Sequence, residues 1–84
     1  MGHHNTVITG AGKNQAEARR EAIDQFLAEE GNRHDVRGCK PLKMVKVPPK
    51  KPMKEGRYTV YKEDPTAPQG EWLEQWSFDL HTHA

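Results

Sequence analysis

The sequence predicts an α+β fold of order β-α-β-β-β, a single domain with one helix packed on a small, mainly antiparallel sheet. Residues 15–30 place Ala18, Ala22, Ile23, Phe26 and Leu27 at helical spacing on one stripe. Residues 71–80 alternate with period two, setting Trp72, Trp76, Phe78 and Leu80 against Leu73, Gln75, Ser77 and Asp79. Between these segments lie β-branched and aromatic runs broken by Pro and Gly, with no second helical period. Eighty-four residues, 33% hydrophobic and 30% charged, leave room for one domain with a thin core. Because the apolar residues cluster periodically, the chain is expected to fold.

Each element has its own signature. Thr6-Val7-Ile8-Thr9 reads as a short strand closed by Gly10-Ala11-Gly12. Asn14 then caps a helix over residues 15–30, and Glu17 is spaced to reach back to its amide, a capping box with Asn in the usual Ser/Thr place. Arg19, Arg20, Glu21, Asp24 and Glu29 fall outside the apolar stripe, with Arg20 and Asp24 spaced for an i,i+4 pair. Gly31-Asn32 supplies the stop. Residues 36–47 form a second, irregular strand: Leu42 and Met44 share one face and Val45 and Val47 the other, so a bulge is expected near Met44-Val45, and Pro41 argues for an edge position. Residues 48–56, opening Pro48-Pro49-Lys50-Lys51-Pro52, read as a loop or polyproline-like arm, since proline brings no ladder donor. Arg57-Tyr58-Thr59-Val60-Tyr61-Lys62 is a strand by composition, and residues 63–70 are a turn-rich loop. In the final strand both tryptophans fall on the apolar side, where Glu74 is the exception.

Charge is sorted along the chain. Residues 31–54 hold eight Lys or Arg against one acid, for +7, while residues 1–30 carry −2 and residues 55–84 carry −4. Arg33, Arg37, Lys40, Lys43, Lys46, Lys50, Lys51 and Lys54 are therefore candidates for docking an anion, either nucleic acid or an acidic protein face. The same cations would also keep an edge strand soluble. The single cysteine, Cys39, excludes an intrachain disulfide and a cysteine-based zinc site and suits a cytoplasmic location. No apolar run is long enough for a transmembrane helix, and Met1-Gly2-His3-His4-Asn5 has no signal-peptide pattern, so no membrane partner is expected.

Few motifs carry chemistry. Gly10-x-Gly12 joins a strand to a helix as in dinucleotide-binding proteins, but Gln15 stands where the third glycine belongs, and a P-loop fails at Val7 and Asn14. Gly10-x-Gly12-x-Asn14 followed by Ala18-Arg19, Ala22-Ile23 and Phe26-Leu27 resembles the last helix of double-stranded RNA-binding domains. In that family a lysine pair at the helix N-terminus contacts phosphates. Gln15-Ala16 occupy those positions here, leaving Lys13. The order of one strand, one helix and a strand excursion ending in an aromatic strand resembles the small flavin-binding dodecins. That likeness implies a sheet wrapped on a single helix and stability gained by oligomerising. Planar-ligand stacking at Trp72 and Trp76 is a third functional class beside these. His81-x-His83 sets two imidazoles on one side of an extended segment, two ligands short of a metal site unless His3 and His4 join them. His34, beside Asp35, reads as a surface residue. Glu63-Asp64 and Glu71/Glu74 have no attendant nucleophile, so no catalytic residues are assigned.

The expectation is a small non-enzymatic interaction protein without cofactor or metal, of the kind found among phage and plasmid accessory or inhibitor proteins. It would bind a protein partner or self-associate as a homo-oligomer, with Tyr58, Tyr61, Trp72, Trp76 and Phe78 as core or interface aromatics. The alternative is electrostatic nucleic-acid binding through the basic segment, residues 33–54.

Overall fold

The computed structural model describes residues 3–31 and 35–83. The fold is α+β: β1 (His3–Gly12), α1 (Gln15–Glu30), β2 (Asp35–Val47), β3 (Lys50–Glu55), β4 (Tyr58–Glu63) and β5 (Leu73–His83), with one 3-10 turn at Gln69–Glu71. A three-stranded sheet runs β1-β5-β2, and β3 and β4 form a separate two-stranded sheet. The last strand therefore inserts between the first two and is antiparallel to both. β1 and β2 end up parallel, with α1 as their crossover. No helix among the described residues is long and apolar enough to cross a membrane.

α1 starts and stops where its caps dictate. Asn14 is extended and its side chain accepts from the Glu17 backbone N–H at 2.9 Å. The reciprocal bond runs from the Asn14 side-chain amide to Glu17 Oε2 at 3.3 Å, so the box closes side chain to side chain. Gly31, at φ 90°, donates its N–H to the Leu27 carbonyl at 2.8 Å and ends the helix. The expected Arg20–Asp24 ion pair does not form, whereas Gln25 donates to Glu21 at 2.9 Å.

β1 does not close at its glycines but runs through them, because Gly10 and Gly12 are where α1 touches the sheet. A Cβ on Gly10 would lie 2.2 Å from the Ala18 carbonyl oxygen, and one on Gly12 would lie 2.6 Å from Glu17 Cβ. Across this close contact Ala18 and Ala22 are buried together with Phe78 and Leu80 of β5, and Thr82 extends the same face. Ile8, Cys39 and Trp76 pack on this cluster. Ile23, Phe26 and Leu27, expected in the core, are only half-buried. The reason is the placement of α1, which sits chiefly on β1 and less on β5. Phe26 thus overhangs the outer edge of β1, lining a recess there with Thr6, Ile8 and Ala22.

Three further expectations are corrected. The bulges of β2 fall between Val36 and Gly38 and between Pro41 and Lys43, leaving Arg37 and Leu42 as the extra residues. Leu42/Met44 and Val45/Val47 differ only by strand parity, so no bulge is needed between them. Residues 48–56 are not a loop, because β3 occupies Lys50–Glu55 with Pro52 inside it. Proline is tolerated there because each strand of a two-stranded ribbon is an edge strand. Lastly, β5 begins at Leu73, so Trp72 lies just before the strand.

Candidate functional site

The ribbon of β3 and β4 stands apart from the body. Its register runs from Lys50↔Glu63 to Glu55↔Tyr58, closed by Gly56 and Arg57. Gly56 has φ 63°, and among the described residues no non-glycine residue, Arg57 included, has a positive φ, the pattern of a II′ hairpin turn. At the base, Asp64 donates its N–H to the Pro49 carbonyl at 2.9 Å, so the two ends of the arm meet. Among the described residues the ribbon pairs only with itself, and neither of its strands packs extensively on another element. The Cα extents of 46 × 30 × 14 Å describe a flat, elongated molecule.

The basic residues separate into neutralised and unneutralised groups. Arg37 lies 3.6 Å from Asp35, Lys46 3.9 Å from Glu74 and Lys51 3.7 Å from Asp64, and Lys62 pairs with Glu55. Among the described residues Lys40, Lys43, Lys50, Lys54 and Arg57 close no ion pair. Register puts Lys40 and Lys43 opposite Asp79 and Ser77, on the sheet face turned away from α1. Lys50 and Lys54 share one face of the arm. Arg33 and His34 lie outside the described residues.

The five aromatics singled out from sequence are divided among three places. Phe78 is core, and Trp76 stacks on it with ring centroids 6.3 Å apart and 26° between planes. Trp76 Nε1 donates to Glu74 Oε1 at 2.8 Å, which accounts for an acid on the apolar side of β5. Trp72 Nε1 donates to the Ala67 carbonyl at 2.9 Å and pins the loop before β5. The two indoles are thus held by different partners, Trp72 by a loop carbonyl and Trp76 by a carboxylate of its own strand. Tyr58 and Tyr61 are on the arm and are 76% and 66% exposed, so neither belongs to the core.

Two groups have displaced titrations. The Thr66 hydroxyl, hydrogen-bonded to Asp64, holds that carboxyl below its ordinary 3.8, with the nearby Lys51 acting in the same direction. Burial raises the Cys39 thiol, opposed by the Arg19 guanidinium. A raised, half-buried thiol suits the packing role read from sequence. β1 and β5 do run antiparallel, with His3 in register with His83, yet no group of three His, Cys, Asp or Glu that could hold a metal occurs among the described residues.

A recess of about 530 Å³ separates the arm's base from the sheet, lined by Pro48, Pro49, Lys50 and Glu63 on one side and Thr9, Ala11, Leu73 and Gln75 on the other. Compared with known proteins, the chain matches no family model, no curated protein and no solved structure.

Sequence reasoning missed the arm as a unit, and with it Arg57 and Lys62. Its signal was present in Glu55-Gly56-Arg57-Tyr58, a Gly-x pair between two alternating runs, but Pro52 masked the first of those runs.

Proposed function

We propose that this is a small macromolecule-binding protein without catalytic machinery, in which the β1-α1-β2-β5 body carries and orients the ribbon arm as the docking element. One observation carries the reading: every residue of the arm but Val60 is exposed, although the arm holds Met53, Tyr58 and Tyr61. A lone two-stranded hairpin is marginally stable in water, and aromatic area held out on one is accounted for by a surface that covers it. Because Pro49 and Asp64 already meet, residues 50–63 can be replaced by a tight turn. The body should then melt cooperatively within a few degrees of the full chain. If the body unfolds without the arm, the arm is structural and the proposal fails.

A second reading rests on the sheet face turned away from α1. There Val7 and Val45 are 65% and 49% exposed, and among the described residues no second layer covers these two, while Val47 and Leu73 beside them are half-buried next to the arm's base. Two copies stacked through this face would supply that layer, the self-association expected of so thin a core.

A further inference from the structure

The two faces of the arm differ in charge. Register places Lys51, Met53, Glu55, Tyr58, Val60 and Lys62 on one face and Lys50, Pro52, Lys54, Thr59, Tyr61 and Glu63 on the other. On the first face the cations are consumed internally, Lys62 by Glu55 and Lys51 by Asp64. On the second, Lys50 and Lys54 close no ion pair among the described residues, although Glu63 is in register with Lys50. Tyr61 lies midway between them, opposite Pro52 and 66% exposed. Arg57, at the turn, adds a further cation that closes no ion pair among the described residues.

We infer that the Lys50/Lys54/Tyr61 face of the arm, with Arg57 at its tip, binds single-stranded nucleic acid. The inference rests on the arm being the docking element and names its ligand. Four strand positions separate the lysines, about 13 Å at the usual rise, with an aromatic ring between them. A single strand is tracked by this combination, cations to successive phosphates and a ring stacked on a base. An acidic protein face would satisfy the lysines but gives the exposed ring no base to stack on. A duplex would satisfy the cations, but its bases are already stacked on one another and leave Tyr61 unused.

The test uses the full-length chain and a fluorescent oligothymidylate of about 20 nucleotides, followed by anisotropy from about 50 to 300 mM salt. Wild type should bind with a log–log salt slope of about −2, three contacts at roughly −0.7 each on a single strand. Lys50→Gln with Lys54→Gln should flatten that slope by about 1.4. Tyr61→Ala should weaken binding by about 5- to 150-fold at an unchanged slope, and Tyr61→Trp should retain it. Lys40→Gln with Lys43→Gln, which removes the same charge from the body instead of the arm, should bind as wild type, and a duplex of equal length should bind more weakly. Equal losses from the Lys40/Lys43 and the Lys50/Lys54 replacements, loss in Tyr61→Trp, tighter binding of the duplex, or no salt-dependent binding at the lowest salt would overturn the inference. Amide exchange on the free protein separates this from failure of the wider proposal. Fast-exchanging arm amides with no oligonucleotide binding refute the ligand alone. Arm amides protected as strongly as those of β5 refute the docking role itself.

Discussion

Gly10→Ala tests how α1 is seated. The added Cβ would lie 2.2 Å from the Ala18 carbonyl oxygen, 2.7 Å from the Ala22 nitrogen and 2.9 Å from Ala22 Cβ. Ordinary van der Waals contact begins at 3.4 Å, so the helix must retreat by about 1.2 Å, and two of the three obstructing atoms are backbone that no rotamer change can move. Overpacking of this kind costs about 1–3 kcal/mol, and the retreat also loosens Ala18 and Ala22 from Phe78. Against it stands the gain of about 0.4–1 kcal/mol from a stiffer unfolded chain. Because the obstructing atoms are backbone, the cost falls in the upper part of that range, and the net expectation is a loss of about 1–2.5 kcal/mol, which in a domain of this size lowers Tm by roughly 5–20 °C. Gly38→Ala is the control, because its Cβ would meet only His81 Cβ, at 3.9 Å. Thermal melts followed by circular dichroism should place Gly38→Ala at or slightly above wild type and Gly10→Ala far below it. Coincident melts for Gly10→Ala and wild type would mean that the close approach of β1 and α1 is not the contact that seats the helix.

Phe78→Ala, which empties a fully buried site on the central strand, should cost about 3–5 kcal/mol in urea unfolding, and half-buried Phe26→Ala only about 1–2; the reverse order would relocate the core. Asp64 has its folded titration depressed, so its contacts with Thr66 and Lys51 act fully above the ordinary carboxyl range and are lost as pH falls through the lower, folded value. The Asp64 carboxyl should therefore titrate by NMR below 3.8 in wild type and move up in Thr66→Val; an unmoved midpoint would remove the hydroxyl as the cause. For the uncovered sheet face, sedimentation equilibrium at micromolar concentration should report more than one 9.6 kDa chain, reduced to one by Val7→Lys with Val45→Lys; a monomeric wild type would dismiss the stacked-sheet reading.

What could be read from the chain alone followed from how local its signals are. α1 was readable to the residue because its caps and stripe all lie within residues 14–31. β2 and β5 were readable from alternation, but strand order was not, since nothing in residues 71–80 states that this segment enters between the first two strands. The role of Gly10 and Gly12 was hidden for the same reason: a glycine that admits a helix looks in sequence like one that makes a turn. The final strand was misread at Trp72 because period two continues across the strand's start, while a hydrogen bond to Ala67 assigns that indole to a loop. The basic segment was visible as composition, yet which cations are neutralised depends on ribbon register, and register appears only once Pro52 is accepted inside a strand.

That partition bears on how a chain of net charge +1 could attract a polyanion at all. At physiological salt, charges farther away than about 8 Å are largely screened, so total charge matters less than what stands within one Debye length of the ligand. The acids of α1 are carried on the body, and α1 does not pack extensively on the arm. Glu63, in register with Lys50, is the acid on the lysine face itself, while Glu55, next to Lys54 in β3, lies on the opposite face and is paired with Lys62. Lys54, four positions further along β3, and Arg57 at the turn have no acid in register with them, since Lys54 faces Thr59 and Arg57 lies beyond the last pair. The attraction should thus strengthen from base to tip, which is the direction in which a projecting ribbon meets a strand approaching from solvent.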